Sequence, residues 1–160
     1  NPHMYIEIHD SLITGQEAAR ALVPADFYID CIDTLNSKAN LLEHLIRQDL
    51  PFITSMGTAG RLNPLALSID SLWNTSVCPL ARSVRQRLRR FGILESARVP
   101  CLFSRELACP PGDLEATKGG RARRALGTAP FVPQVAGHIL ASYAVHRLLG
   151  RAMAHCPAGL

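Results

Sequence analysis

Apolar and polar residues alternate along Tyr5-Ile6-Glu7-Ile8-His9, which is the period of a strand. Thr14-Gly15-Gln16-Glu17 then opens an Ala-rich run from Ala18 to Leu22 with an acid in its first turn, and this predicts a short helix. A second strand is predicted over Asp26 to Asp33, an apolar run that ends in two acids, Asp30 and Asp33. Asn36 and Ser37 can cap the helix that follows, whose Leu41, Leu42, Leu45 and Ile46 share one face. Leu50 to Ser55 reads as another short buried strand. Strand, helix, strand, helix, strand with short connections is the rhythm of a parallel, right-handed α/β sheet.

Gly57 to Pro64 is a turn-rich link, and Leu65 to Asp70 alternates as an antiparallel strand does. Pro79 starts a helix over Leu80 to Phe91 that carries Arg82, Arg85, Arg87, Arg89 and Arg90. A further strand is predicted over Arg98 to Arg105, around Cys101-Leu102-Phe103. Residues 108–129 are expected to form a flexible basic loop, since Gly and Pro surround Lys118, Arg121, Arg123 and Arg124. Val132 to Leu149 predicts a long last helix in which Ala136, Gly137, Ala141 and Ala144 allow close packing.

Composition narrows the class. The 160 residues are 48% hydrophobic, enough for one domain with a core, and this excludes collagen-like, mucin-like and wholly disordered chains. Seventeen Lys and Arg against thirteen Asp and Glu give a net charge of +4, which permits an anionic partner without demanding one. The five cysteines contain no CxxC pair, so neither a disulfide framework nor a structural zinc is expected, and a reducing cytoplasm is the default. The first residues show no export signal, and the chain starts as though midway through a larger domain. The apolar stretch from Pro130 to Leu149 is broken by Gln134, His138, His146 and Arg147, so it reads as a buried helix rather than a membrane span.

The candidate chemistry centres on Asp30-Cys31-Ile32-Asp33, where two carboxylates close a buried strand. In open α/β sheets that edge binds ligands, and a carboxylate there can hold Mg²⁺ beside nucleotide phosphates. The alternative is that either acid caps the next helix. Cys78 precedes Pro79 at a helix start, a position that lowers a thiol pKa, yet no basic partner is evident and an inert thiol is the simpler reading. Cys31 and Cys101 lie in apolar strands and are expected in the core. His138 and His146 share a helix face without a third ligand, which favours packed or surface histidines over a metal site. No acid occurs from Ser71 to Leu94. The arginine helix and the loop cluster therefore read either as a solvated face or as a grip on RNA phosphates through Arg82, Arg85, Arg89, Lys118, Arg121, Arg123 and Arg124.

Asp30-Cys31-Ile32-Asp33, Lys38-Ala39, Pro51-Phe52-Ile53-Thr54, Gly57 to Pro64, Asp70-Ser71-Leu72, Pro79-Leu80-Ala81 and Cys101 to Glu106 together resemble the ubiquitin-activating-enzyme-like adenylyltransferases of thiamine and molybdopterin biosynthesis. The similarity is greatest to the branch that dehydrates threonylcarbamoyladenosine in tRNA, and it spans essentially the whole chain. The resemblance implies the carboxyl-terminal part of a Rossmann-like, mostly parallel sheet with added antiparallel strands and a long last helix. It implies ATP-dependent transfer of AMP to a carboxylate, with Asp33 near Mg²⁺ and the phosphates and Leu12 near the adenine. It further implies a tRNA substrate, no DNA, a homodimer, and a link to a cysteine desulfurase or sulfur-acceptor system. The family's glycine-rich phosphate loop is expected upstream, because Gly57-Thr58-Ala59-Gly60 has the wrong spacing and follows the wrong strand. Ala125 stands near where some dehydratases carry a cysteine, so no catalytic nucleophile is assigned. The rival expectations are an adenylyltransferase for a sulfur-carrier or ubiquitin-like protein, and a non-catalytic dimerisation scaffold.

Overall fold

The computed structural model describes residues 2–10, 17, 22–110, 112, 114–115, 123–124 and 127–150. Four strands form the main sheet: β1 (Tyr28–Asp30), β2 (Phe52–Ser55), β3 (Leu67–Ser71) and β4 (Pro100–Ser104). β1 pairs parallel with β2 and β2 parallel with β4, while β3 pairs antiparallel with β4, so the spatial order is β1-β2-β4-β3. Helix α1 (Leu35–Arg47) connects β1 to β2, α2 (Pro79–Arg90) follows β3, and α3 (Phe131–Leu148) comes last.

The sheet is covered on both faces, as parallel strands require. Phe52, Cys101 and Phe103 occupy alternate strand positions and pack with Leu41, Leu42 and Leu45 of α1 and Ala81, Val84 and Leu88 of α2. Ile53 and Leu102 point the other way and meet Ala136 and Leu140 of α3. The result is a three-layer α/β/α arrangement, in agreement with the expected α/β class.

Local chemistry sets the helix ends. Pro79 supplies a preset φ at the first position of α2, and the Cys78 sulfur accepts from the Ala81 amide at 3.5 Å. At the other end Gly92 takes φ +77°, its amide donates to Arg89 O, and the Ile93 amide donates to Leu88 O. That is a Schellman closure, which satisfies carbonyls left open by the last turn. α1 closes in the same way, with Leu50 bonded to Leu45 O, yet the left-handed position holds Asp49 at φ +49° instead of glycine.

Several expectations are corrected. Residues 4–10 form no strand, and Tyr5, Ile6 and Ile8 are all exposed. Alternation makes a strand only where a neighbour takes the backbone bonds and one face is buried. β1 ends at Asp30, so Cys31 lies beyond it and is exposed rather than in the core. Within the expected loop, Leu114–Glu115 (β5) pairs antiparallel with Arg123–Arg124 (β6). The Ala-rich run 18–21, Leu12, Lys118, Arg121, Ala125 and Cys156 lie outside the described residues. Among the described residues no helix is long and apolar enough to cross a membrane.

Candidate nucleotide cleft

The carboxyl ends of β1 and β2 open, together with the first half of α3, onto a cleft of about 370 Å³. Cys31, Ile32 and Asp33 line it after β1, Ser55, Met56 and Gly57 at the end of β2, and Pro133, Ala136 and Gly137 on α3. Another cavity, of about 480 Å³, lies at the amino ends of β2 and β4 around Pro51, Pro100 and Tyr143 and holds no sequence-predicted site residue. Chemistry in such sheets belongs to the carboxyl edge, which is where Asp33 stands.

The two acids of the strand end diverge. Asp30 is buried on the α1 side of the sheet, where its Oδ2 meets Lys38 Nζ at 2.5 Å and the Thr54 hydroxyl at 2.6 Å. Asp33 is exposed, with the Thr34 hydroxyl donating to its Oδ1 at 3.4 Å. Neither acid caps α1, whose N-cap is Thr34 without a side-chain cap bond. The capping alternative for both is thereby removed, and of the two acids only Asp33 lines the cleft.

No group of three potential metal ligands exists among the described residues. Mg²⁺ commonly binds through one or two carboxylates and the phosphates of a substrate, keeping several waters. A lone exposed carboxylate on a cleft fits an ion that arrives with a nucleotide, and it does not fit a self-contained metal site.

Among the thiols, partial burial and the charge of Asp30 push Cys31 up, against the opposing pull of Lys38. Cys101 is buried and pushed up mainly by desolvation. Cys78 is buried as the cap of α2. His138 Nδ1 lies 2.7 Å from Gln134 O on its own helix, and among the described residues no ligand set forms around it or His146.

The arginine helix is only partly free. Arg85 Nη1 donates to Leu72 O at 3.2 Å and Thr75 O at 3.0 Å, and also contacts the Thr75 hydroxyl. Arg87 donates to Asn36 Oδ1 at 2.9 Å, and Arg89 pairs with Glu95 at 2.7 Å while its guanidinium lies 5.8 Å from the Trp73 ring centroid. Arg82 is exposed on the same helix, and the backbones of Arg123 and Arg124 lie in β6.

Two features were missed at the level of residue patterns. Lys38 is fully buried. Its spacing to Leu41, Leu42 and Leu45 places it in an apolar helical stripe, and a lysine there signals a buried partner. Arg61 is also buried and donates to Ala59 O and Val77 O, while the Glu106 carboxylate accepts from the Leu62 and Asn63 amides. These bonds hold the link after the cleft, and nothing local in Gly57 to Pro64 announces them.

No protein-family model matches the chain. It is 29% identical to the tRNA threonylcarbamoyladenosine dehydratase of Escherichia coli over 168 residues, covering 95% of this chain and 63% of that protein. Against the Bacillus subtilis protein of the same name it is 32% identical over 130 residues, covering 78% and 51% respectively. The structure of the Escherichia coli tRNA N6-threonylcarbamoyladenosine dehydratase in complex with ATP superposes with a TM-score of 0.79 at 27% identity, over 94% of this chain and 59% of that one. Its complex with AMP gives the same TM-score. The chain is a homologue of these dehydratases and has their fold over the part it covers.

Proposed function

We propose that this homologue of the tRNA threonylcarbamoyladenosine dehydratases is part of an ATP-dependent enzyme that activates the carboxylate of threonylcarbamoyladenosine in tRNA and closes it to a ring. The observation that carries the reading is the match to a dehydratase structure holding ATP, over 94% of this chain. The chain spans less than two thirds of its relatives, so the activity is proposed for the full-length gene product.

In this reading a carboxylate oxygen of the substrate attacks the α-phosphorus of ATP and pyrophosphate leaves. An internal nucleophile then attacks the acyl carbon of the mixed anhydride, AMP leaves, and the net change in the tRNA is loss of one water. Asp33 is the residue that would hold Mg²⁺, which when bound offsets negative charge on the phosphates. Ser55, Met56 and Gly57 line the cleft after β2, and Pro133, Ala136 and Gly137 line it on α3. Arg82, exposed on α2, meets tRNA phosphate, and the proposal includes Arg85, Arg89, Lys118, Arg121, Arg123 and Arg124 as further phosphate contacts. The proposal includes a homodimer, as the resemblance implies.

Mass analysis of nucleosides from tRNA incubated with full-length protein and ATP tests the reading. Loss of one water from threonylcarbamoyladenosine, matched by pyrophosphate release, is the expected result. ATP-dependent adenylylation of a protein carboxyl terminus with no change in tRNA would instead select the carrier-protein adenylyltransferase.

A further inference from the structure

A buried polar cluster lies directly behind the cleft and has no part in the chemistry above. Lys38 Nζ donates to Asp30 Oδ2 at 2.5 Å, Thr54 Oγ1 at 3.0 Å and Ser55 O at 2.9 Å, which uses all three N–H groups of an ammonium. Asp30 Oδ2 also accepts from the Thr54 hydroxyl, and its Oδ1 accepts from the Ile32 amide at 3.0 Å. The cluster therefore ties together the end of β1, the turn after it, the end of β2 and the first turns of α1. Ile32, Asp33 and Ser55, on the far side of those bonds, line the cleft.

Stability alone gives no reason for such a pair. Apolar side chains of similar volume are often as stable as a buried ion pair, or more so. They cannot, however, accept from the Ile32 amide or donate to the Ser55 carbonyl. We propose that Lys38 and Asp30 are positioning residues, which hold the Cys31-to-Thr34 turn and the Ser55 carbonyl in the arrangement that presents Asp33 to the cleft. The inference rests on the reading of Asp33 as the metal-facing residue of a nucleotide site.

The test uses the full-length gene product carrying Asp30→Leu, Lys38→Met and Thr54→Val together, which removes the polar side-chain atoms of the cluster at nearly constant volume. Asp33→Asn and Thr54→Val are measured beside it. Two quantities are read: amide hydrogen exchange over residues 31–34 without ligand, and the Mg²⁺ concentration that half-saturates ATP–pyrophosphate exchange. The triple variant is expected to melt within about 5 °C of wild type. Its exchange over 31–34 accelerates and its Mg²⁺ midpoint rises, each by about tenfold, as loss of an outer-shell partner does. Thr54→Val keeps the ion pair and shifts both in the same direction by about two- to fivefold. A folded triple variant with wild-type exchange and midpoint overturns the proposal, and if the triple variant does not fold, an unshifted Thr54→Val overturns it. An unshifted midpoint in Asp33→Asn would defeat the nucleotide-site reading itself; a shift there without one in the triple variant defeats the positioning role alone.

Discussion

Cys101 sits in β4 between the two helical layers, and burial pushes its thiol up from the ordinary range. A raised native pKa means that the folded chain keeps its proton where the unfolded chain loses it. The resulting stability is complete below the unfolded thiol pKa and falls as pH rises through the alkaline range, with a slope approaching about 1.4 kcal/mol per pH unit for one group. Urea denaturation at neutral and alkaline pH should show that decline, and Cys101→Ala should flatten it while lowering stability at neutral pH. The two acids of the site separate just as clearly. Asp30→Asn weakens the partner of a buried ammonium and should cost about 3 kcal/mol or more in unfolding free energy. Asp33→Asn should stay within about 0.5 kcal/mol of wild type, being exposed, and should lower ATP turnover in the full-length protein by about two orders of magnitude. Thermal melts and pyrophosphate-release rates on both variants measure the contrast. An Asp33→Asn variant that loses stability yet keeps wild-type turnover would mean that Asp33 is structural.

At the scale of the element, α1 carries a defect that can be repaired. Asp49 occupies the left-handed residue of its Schellman closure, so Asp49→Gly should stabilise the fold by about 0.5–1 kcal/mol, read as a higher urea midpoint. In α3 a Cβ on Gly137 would meet no atom within 4 Å. Gly137→Ala should therefore gain about 0.5–1 kcal/mol of helix stability, whereas Gly137→Leu should fill the cleft and weaken nucleotide-dependent turnover without unfolding the protein. The α1 and α2 periods were legible because their apolar stripes are nearly complete and Pro79 marks a start. Strand limits were less legible. Asp30 ends β1 because its side chain turns to Lys38 and the Ile32 amide, and the Lys38 partner, eight residues away, is one that no local pattern encodes. Tyr5 to Ile8 show the opposite failure, a strand pattern without a partner strand. In the site, Asp33 was visible from its place at the strand end, while the roles of Arg61 and Glu106 depend on bonds that cross the fold.

For the whole molecule, the question is whether the link after β2 can receive a triphosphate and whether α2 meets RNA. The amide of Gly60 is bonded to Gly127 O and that of Arg61 to Thr58 O, so these two groups are not free to receive a triphosphate. Incubated with ATP and tRNA, the 160-residue chain should release pyrophosphate at background, and sustained turnover would contradict its reading as part of an enzyme. Because Arg85 holds the Leu72 and Thr75 carbonyls, reversing its charge would test the fold together with RNA binding; Arg82→Glu is the cleaner probe. In the full-length protein that change should lower the salt slope of tRNA binding by about 0.7 to 0.9 log units for each phosphate that the side chain no longer neutralises, while leaving ATP affinity unchanged. An unaltered slope would return α2 to a solvated face. The strand order also sets a sequence in time. β3 is made before β4 yet has no strand to pair with until β4 enters between it and β2, so during synthesis β1, α1 and β2 can assemble first while residues 67–71 wait for residues 100–104. β4 is thus the last strand of the sheet to be placed and the one that closes it, and a chain interrupted before residue 100 would leave both β2 and β3 with open edges, the kind of surface on which unfinished chains associate.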